Sequence, residues 1–148
     1  MRKLLFSVFT ILVLIACSKD DDSNGGSNGL LSGQVFGVPF TADGGRADLD
    51  DEKIRIKYGF NGEGCETGTG SSAFRIEIQT LKTVGVHGGN VTSVAFDDGE
   101  GSFAAFFGEG VEAEIISLTE TTVDFKVKAE DLDLDCSLSG RHQVTICE

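Results

Sequence analysis

The chain has 148 residues, and its 24 acidic residues outnumber its 12 lysines and arginines, for a formal net charge of −12. Such a charge argues against nucleic acid as a partner, because binding to phosphates needs clustered cations. The length suffices for one domain with its own core, and 20 glycines against a single proline favour short strands and turns.

The first 16 residues have the form of a secretory signal peptide. Two cations, Arg2 and Lys3, precede an uncharged and mostly apolar run from Leu4 to Ala16. That run is shorter than the roughly 20 residues that a membrane-spanning helix needs. We therefore predict that residues 1–16 are a signal peptide, which is removed from the mature protein.

The apolar run ends in Leu14-Ile15-Ala16-Cys17, which resembles the lipobox of bacterial lipoproteins. In that family the cysteine thiol receives a diacylglyceryl group, and a peptidase cuts just before the cysteine. The resemblance implies that Cys17 is the lipidation site and that acyl chains such as palmitate anchor the protein to a membrane. Each buried methylene contributes about 0.8 kcal/mol to such an anchor, and two chains make release slow.

The segment behind the cysteine, Ser18-Lys19-Asp20-Asp21-Asp22, resembles the lipoprotein export signal of Bacteroidetes. In that group a lysine and acidic residues at this position send the lipoprotein to the outer face of the outer membrane. The alternative is a solvated acidic linker. Residues 23–29 contain only Gly, Ser and Asn, the composition of a flexible tether. Residues 17–29 are thus predicted to connect the lipidated cysteine to one domain at 30–148.

Alternation of apolar and polar residues predicts strands in that domain. The clearest segments are 53–58, 74–79 and 123–128, each with one apolar and one polar face, as in antiparallel sheets. Shorter segments lie at 31–36, 44–49, 91–96, 102–107, 111–118 and 136–147. The sequence predicts an all-β fold, an antiparallel β-sandwich or barrel of about eight to ten strands. We expect the centre of its core at Ile54, Ile56, Phe74, Ile76, Ile78, Val123, Phe125, Val127, Val144 and Ile146.

Both ends of the domain resemble a group of small, uncharacterised β-rich lipoprotein domains of Bacteroidetes. Residues 33–42 match the opening pattern of that group, Gly-x-Val-x-Gly-x-x-Phe-x-Ala. Residues 138–144 match its final strand, in which Ser-Gly precedes alternating residues. The chain departs from the group at Arg141 and His142, where a small and an aromatic residue are expected. The resemblance implies a β-rich fold and no particular activity or site.

Three cysteines follow the anchor, Cys65, Cys136 and Cys147, so at most one disulfide forms within the chain. Export would place them in an oxidising compartment. If 136–147 is a single strand, its ends lie about 35 Å apart, far beyond the roughly 7 Å that a disulfide spans. Cys136 and Cys147 then pair only if the chain turns back near Gly140. We therefore expect Cys65 to pair with one of the other two, with a slight preference for Cys147.

Motifs for catalysis and metal binding are missing from the sequence. There is no nucleophile elbow, and His87, in a predicted turn, and His142, in the last strand, make a poor zinc set. Acidic clusters at 48–52, 97–100 and 131–135 lack the spacing of a calcium-binding loop, and we interpret them as solvated turns. The expectation is a protein without catalytic residues, metal or cofactor.

Aromatic residues bear on the kind of ligand. The chain has no Trp and a single Tyr, which weakens a sugar-binding interpretation. Phe106 and Phe107 are neighbours on a predicted strand, so they point to opposite faces. An exposed one marks a contact surface only if other apolar residues join it.

The sequence predicts a membrane-anchored, surface-exposed, non-enzymatic lipoprotein that binds an unknown extracellular ligand or serves as an envelope component. The first alternative is a β-barrel carrier of a small apolar ligand, and a hydrolase with an acidic site is the least favoured.

Overall fold

The structure is a computed structural model that describes residues 29–59, 65 and 74–147. Within these residues the prediction of an all-β fold is confirmed, and the strand count falls in the predicted range. The nine strands are β1 (Ser32–Val35), β2 (Val38–Thr41), β3 (Arg46–Leu49), β4 (Lys53–Tyr58), β5 (Arg75–Leu81), β6 (Gly85–Asp97), β7 (Phe103–Leu118), β8 (Thr122–Asp131) and β9 (Cys136–Cys147).

Seven of these strands close into a barrel, which decides between the sandwich and the barrel left open by the sequence. Neighbours run in the order β3-β4-β5-β6-β7-β8-β9, and β9 pairs with β3 to complete the ring. Strands β1 and β2 form a hairpin that is added to β9 outside the ring. The pairs of neighbouring strands are antiparallel as predicted, except at the closure, where β3 and β9 are parallel. Their connection runs through the whole intervening chain, so no hairpin restricts their direction.

Strand β9 organises the architecture because it borders three other strands. Strand β8 pairs with it along Cys136–Thr145. On the opposite edge β1 pairs with residues 137–139 and β3 with residues 145–147. The chain just before β1 passes close to Gly140 of β9, at the point between the residues that pair with β1 and those that pair with β3. A Cβ atom on Gly140 would lie 2.7 Å from the Leu30 carbonyl oxygen. Gly140 also has a φ of +129°, so both the space and the backbone conformation require glycine.

The barrel interior holds the core, and it is built by the alternation seen in the sequence. In β4, β5 and β8 every second side chain is buried, and the others face solvent at least in part. Burying each of these Ile, Val and Phe side chains is worth roughly 1.5–3 kcal/mol. Nine of the ten predicted core residues are buried; Phe74, the tenth, is only partly buried and packs against the core from its margin, just before β5 begins.

Two other expectations on the sheet are corrected. The sequence predicts a turn at His87, but this residue lies within β6 and pairs with Ala113 of β7. The sequence also predicts separate strands at 102–107 and 111–118, but these segments form one strand, β7. A β-bulge at Gly89–Ser93 of β6, opposite the junction of the two segments, explains why the alternation is interrupted while the strand continues.

Candidate functional site

The first half of β7 is an open sheet edge. Residues Phe103–Phe107 pair with Ser93–Asp97 of β6 on one side. Strand β8 pairs with β7 only from Glu112 onward, so within the described part of the chain no strand covers the other side of Phe103–Phe107. An uncovered edge exposes backbone donors and acceptors that can pair with another chain. We call this segment, Phe103–Phe107, the open edge.

The hairpin that precedes the open edge shows which backbone groups of this edge point away from β6. The Asp98 amide donates to the Ser102 carbonyl oxygen at 3.2 Å, so this pair is hydrogen-bonded. Hydrogen-bonded and non-hydrogen-bonded pairs alternate along antiparallel strands. Residues 104 and 106 therefore bond to β6, whereas the N–H and C=O groups of Phe103, Ala105 and Phe107 point away from it.

The same three residues also carry the exposed side chains of the open edge. Phe103 is 69% exposed and Phe107 68%, and Ala105 between them is exposed as well. On the other face Ala104 is buried and Phe106 is partly buried against Phe96, with ring centroids 5.5 Å apart. The opposite orientations predicted for Phe106 and Phe107 are confirmed, and Phe103 and Ala105 are the apolar neighbours that make Phe107 part of a contact surface.

Acidic groups flank the open edge at both ends. Asp97 ends β6, Asp98 and Glu100 lie in the turn that follows, and exposed Glu109 and Glu112 come after the open edge. The Asp98 carboxylate accepts the amides of Glu100 at 2.8 Å and Ser102 at 2.9 Å. Hydrogen bonds, above all from Ser102, lower the pKa of Asp98, so this carboxylate stays negative at neutral pH.

The other two acidic clusters also serve local structure. Asp48 pairs with Lys57 at 2.6 Å, and Asp50 pairs with Arg55. Asp131 accepts the amides of Asp133 and Leu134 in the turn between β8 and β9. Among the described residues, no group of three or more His, Cys, Asp or Glu side chains is arranged to hold a metal ion.

A second cluster, formed by Tyr58 and His142, lies where β4 and β9 approach each other. The Tyr58 hydroxyl and the His142 Nδ1 atom are 2.9 Å apart, and the two rings stack with centroids 5.7 Å apart. Phe40 of β2 packs edge-on against Tyr58. Burial raises the pKa of Tyr58 and lowers that of His142, against an opposing effect of Asp43. Tyr58 therefore stays protonated, and its hydroxyl shares one hydrogen bond with a neutral imidazole.

His142 has an aromatic role in this cluster, because its ring stacks on that of Tyr58. Arg141 beside it pairs with Asp124 of β8, with Nε 2.9 Å from the carboxylate. Tyr58 and His142 are 84 residues apart, so no local sequence signal connects them.

The structure joins Cys65 to Cys147, the pairing that the sequence slightly favours. The remaining cysteine, Cys136, is buried, and its sulfur accepts the Phe36 amide at 3.4 Å. Burial is the main reason why the pKa of Cys136 is raised. Its thiol therefore stays protonated and inert, as buried structural cysteines do.

The predicted lipidation site, Cys17, and the predicted export signal, Ser18 to Asp22, lie outside the described residues. In the parts that are described, no helix is long and apolar enough to cross a membrane. A scan against protein-family models found no match, and searches of curated proteins and of solved structures found none either. The open edge was not predicted, although the uncharged run from Ser102 to Gly108 is a sequence signal that points to it.

Proposed function

We propose that the protein is a lipid-anchored lipoprotein of the outer membrane that faces the exterior and binds a partner without catalysing a reaction. The observation that carries the binding role is the coincidence of an open sheet edge with two exposed phenylalanines, Phe103 and Phe107. The lipobox resemblance at Cys17 and the acidic segment behind it support the anchor and its location.

The point where the tether joins the domain lies away from the open edge, which supports the binding role. The Arg141 amide donates to the Gly29 carbonyl oxygen at 2.9 Å, so the domain begins beside the middle of β9. Arg141 lies level with Lys126 of β8 and Glu114 of β7. The open edge lies about 23–36 Å further along β7, at about 3.3 Å per residue. A tether of about a dozen Gly- and Ser-rich residues spans about 20 Å, which leaves the edge free to meet partners.

The chemistry of the described residues supports binding over catalysis. His142 is engaged by the Tyr58 hydroxyl, and Tyr58 is kept protonated by burial. The Cys136 thiol is buried and protonated. In the acidic turns, carboxylate oxygens of Asp98 and Asp131 accept hydrogen bonds from backbone amides, so these groups stabilise the turns.

Lipidation at Cys17 is tested with the variant Cys17→Ser in a bacterium that processes lipoproteins. Growth with a clickable palmitate analogue should label the wild-type protein and not the variant, because only the thiol accepts the lipid. The wild-type protein should also sediment with membranes, and the variant should not. A wild-type protein that takes up no label, or a labelled variant, would refute the anchor.

Export to the surface is tested by protease treatment of whole cells. The variant with Asp20, Asp21 and Asp22 changed to alanine should lose its protease sensitivity while it remains lipidated. A matched control changes Asp51, Glu52 and Glu120, three exposed acidic residues away from the cysteine, to alanine. The control should stay accessible. Equal accessibility of both variants would contradict the export signal.

The carrier of a small apolar ligand is the second candidate, and the closed barrel favours it. Large side chains such as Phe96, Phe125 and Ile115 are fully buried within one core cluster, and a ligand in the interior would have to displace them. The proposed binding function predicts that a fluorescent fatty acid does not bind saturably to the protein. Saturable binding that changes on substitution of Phe125 would favour the carrier.

A further inference from the structure

We propose that the open edge binds an extended segment of a partner protein by strand addition, and that this segment carries apolar residues at alternate positions and cations at its ends. The inference rests on the proposed binding function and specifies the class of partner. It depends on three properties of Phe103–Phe107: free backbone groups, exposed apolar side chains and flanking acids.

The backbone supplies the first property. The amides and carbonyls of Phe103, Ala105 and Phe107 point away from β6, since Asp98 and Ser102 form a hydrogen-bonded pair in the adjoining turn. An added strand would pair with these groups as β8 pairs with the later half of β7. Backbone pairing of this kind provides affinity, and the alternate side chains provide specificity.

The side chains supply the second property. Phe103 and Phe107 project from the same face and are separated by exposed Ala105. The two α-carbons lie about 13 Å apart along the strand. An apolar side chain of the added strand that lies opposite Ala105 would therefore sit between the two rings. Natural edges are protected by charged residues or proline, and Phe103–Gly108 contains neither.

The charges select the partner. Asp97, Asp98 and Glu100 lie at one end of the open edge and Glu109 at the other, and Glu109 and Glu100 are exposed. In a symmetric antiparallel pairing of two copies about Ala105, Glu109 would lie opposite Gly101 of the second copy and beside its Glu100. Like charges would then meet at both ends, on chains that each carry a net charge of −12. A segment with lysine or arginine at its ends instead complements the acids.

The experiment measures the binding of short fluorescent peptides by anisotropy. The protein is the chain as its host cell processes it, purified in a non-ionic detergent. The first peptide alternates valine and threonine between paired lysines, and the second has glutamates in place of the lysines. Two further lysine peptides carry N-methyl groups, one on the valine amides and the other on the threonine amides, so that only one of them blocks the edge that faces β7.

The proposal predicts saturable binding of the lysine peptide and at least about tenfold weaker binding of the glutamate peptide. One N-methylated peptide should lose affinity by at least about tenfold, and the other should retain it, because strand addition uses one edge of the peptide. No saturable binding, or equal effects of the two N-methyl patterns, would overturn the proposal.

Two variants of the protein locate the binding. Ala105→Pro removes an amide that faces the open side and leaves the bonds to β6 intact, and Phe103→Thr with Phe107→Thr removes the exposed rings. Each should weaken peptide binding at least about tenfold. The matched control, Leu132→Thr with Leu134→Thr, removes two exposed leucines from another turn and should bind normally. Unchanged binding by the Phe103/Phe107 variant would overturn the proposal.

A second copy at the open edge would overturn the proposal in another way. Binding of a second copy predicts a dimer that forms with increasing protein concentration in the absence of peptide and that the Phe103/Phe107 variant does not form. Loss of membrane anchoring, by contrast, would refute the location in the proposed function without altering any of these peptide measurements.

Discussion

The two halves of β7 belong to one strand but have different surroundings. Glu112–Ile115 lies between β6 and β8, and its inward side chains, Ala113 and Ile115, are buried. Its outward positions include Glu112 and Glu114. Among the described strands only β6 pairs with Phe103–Phe107, and the outward positions of this segment are Phe103, Ala105 and Phe107.

The difference shows that the exposed apolar residues are not scattered at random over β7. Where β8 covers the strand, the outward face is charged, as in a barrel wall that meets water. Where the edge is uncovered, the outward face is apolar. Apolar surface and backbone groups that point away from β6 thus coincide in Phe103–Phe107, and the proposed binding function rests on this coincidence.

The largest expected effect compares one side chain from each half. Ile115→Ala removes buried atoms from the enclosed half and should lower the free energy of unfolding by about 3–4 kcal/mol. Phe107→Ala removes a side chain that is 68% exposed and should lower it by less than about 1 kcal/mol. Urea unfolding measures both values. Similar losses for the two variants would mean that the open half is packed against something in the folded protein.

A glycine pair gives the next largest effect. Gly140→Ala places a Cβ 2.7 Å from the Leu30 carbonyl oxygen in a fully enclosed strand, so we expect a loss of about 2–3 kcal/mol from strain and clash together. Gly110 also has a positive φ, +91°, but a methyl group added there would meet open space. Gly110→Ala should therefore cost only about 1 kcal/mol, from backbone strain alone. Urea unfolding measures both values, and a larger loss at Gly110 would contradict the open space around that residue.

The smallest expected effect is a pH dependence of folding stability that arises from His142 in β9. Burial, opposed by Asp43, lowers the pKa of His142 below the usual value of about 6.5. The folded state thus binds the proton less tightly than the unfolded state does. The contribution of His142 to stability is therefore fully present above about pH 6.5, and it is lost as the pH drops through the folded pKa. Between about pH 7.5 and 5.5, His142→Gln should lose less stability than the wild-type protein.

The control for that comparison is His87→Gln, because His87 is only partly buried and its Nε2 lies 2.6 Å from the nearby Thr83 carbonyl oxygen. Its stability should follow the wild-type pH dependence. If His142→Gln and the wild-type protein lose the same stability over this range, the burial of His142 does not govern its titration.

Strands could be predicted from the sequence more readily than their partners. Alternation indicates which face of a strand is buried, and it predicts β4, β5 and β8 on that basis. It carries no information on which strand lies alongside, so the parallel closure of β9 on β3 and the contact of Tyr58 with His142 were not predicted. A long β9 excludes a bond between Cys136 and Cys147, so Cys65 is expected to pair with one of them. The structure joins Cys65 to Cys147, the partner that the sequence slightly favours.

The candidate site was predicted only in part for the same reason. The opposite orientations of Phe106 and Phe107 follow from the period of a strand. Whether the edge beside Phe107 is covered depends on how far β8 runs alongside β7. This pairing stops at Glu112 and Lys128, and alternation within a single strand does not indicate where it stops. The acidic clusters were correctly interpreted as turns at Asp98 and Asp131.

Amide hydrogen exchange, followed residue by residue by NMR, tests the central claim most directly. If Phe103–Phe107 is an open edge, the amides of Phe103, Ala105 and Phe107 exchange rapidly, while those of Ala104 and Phe106 are protected by their bonds to β6. In the enclosed half, consecutive amides should all be protected, because β6 and β8 share them. Equal protection of all five amides from 103 to 107 would show that the edge is covered and would contradict the account.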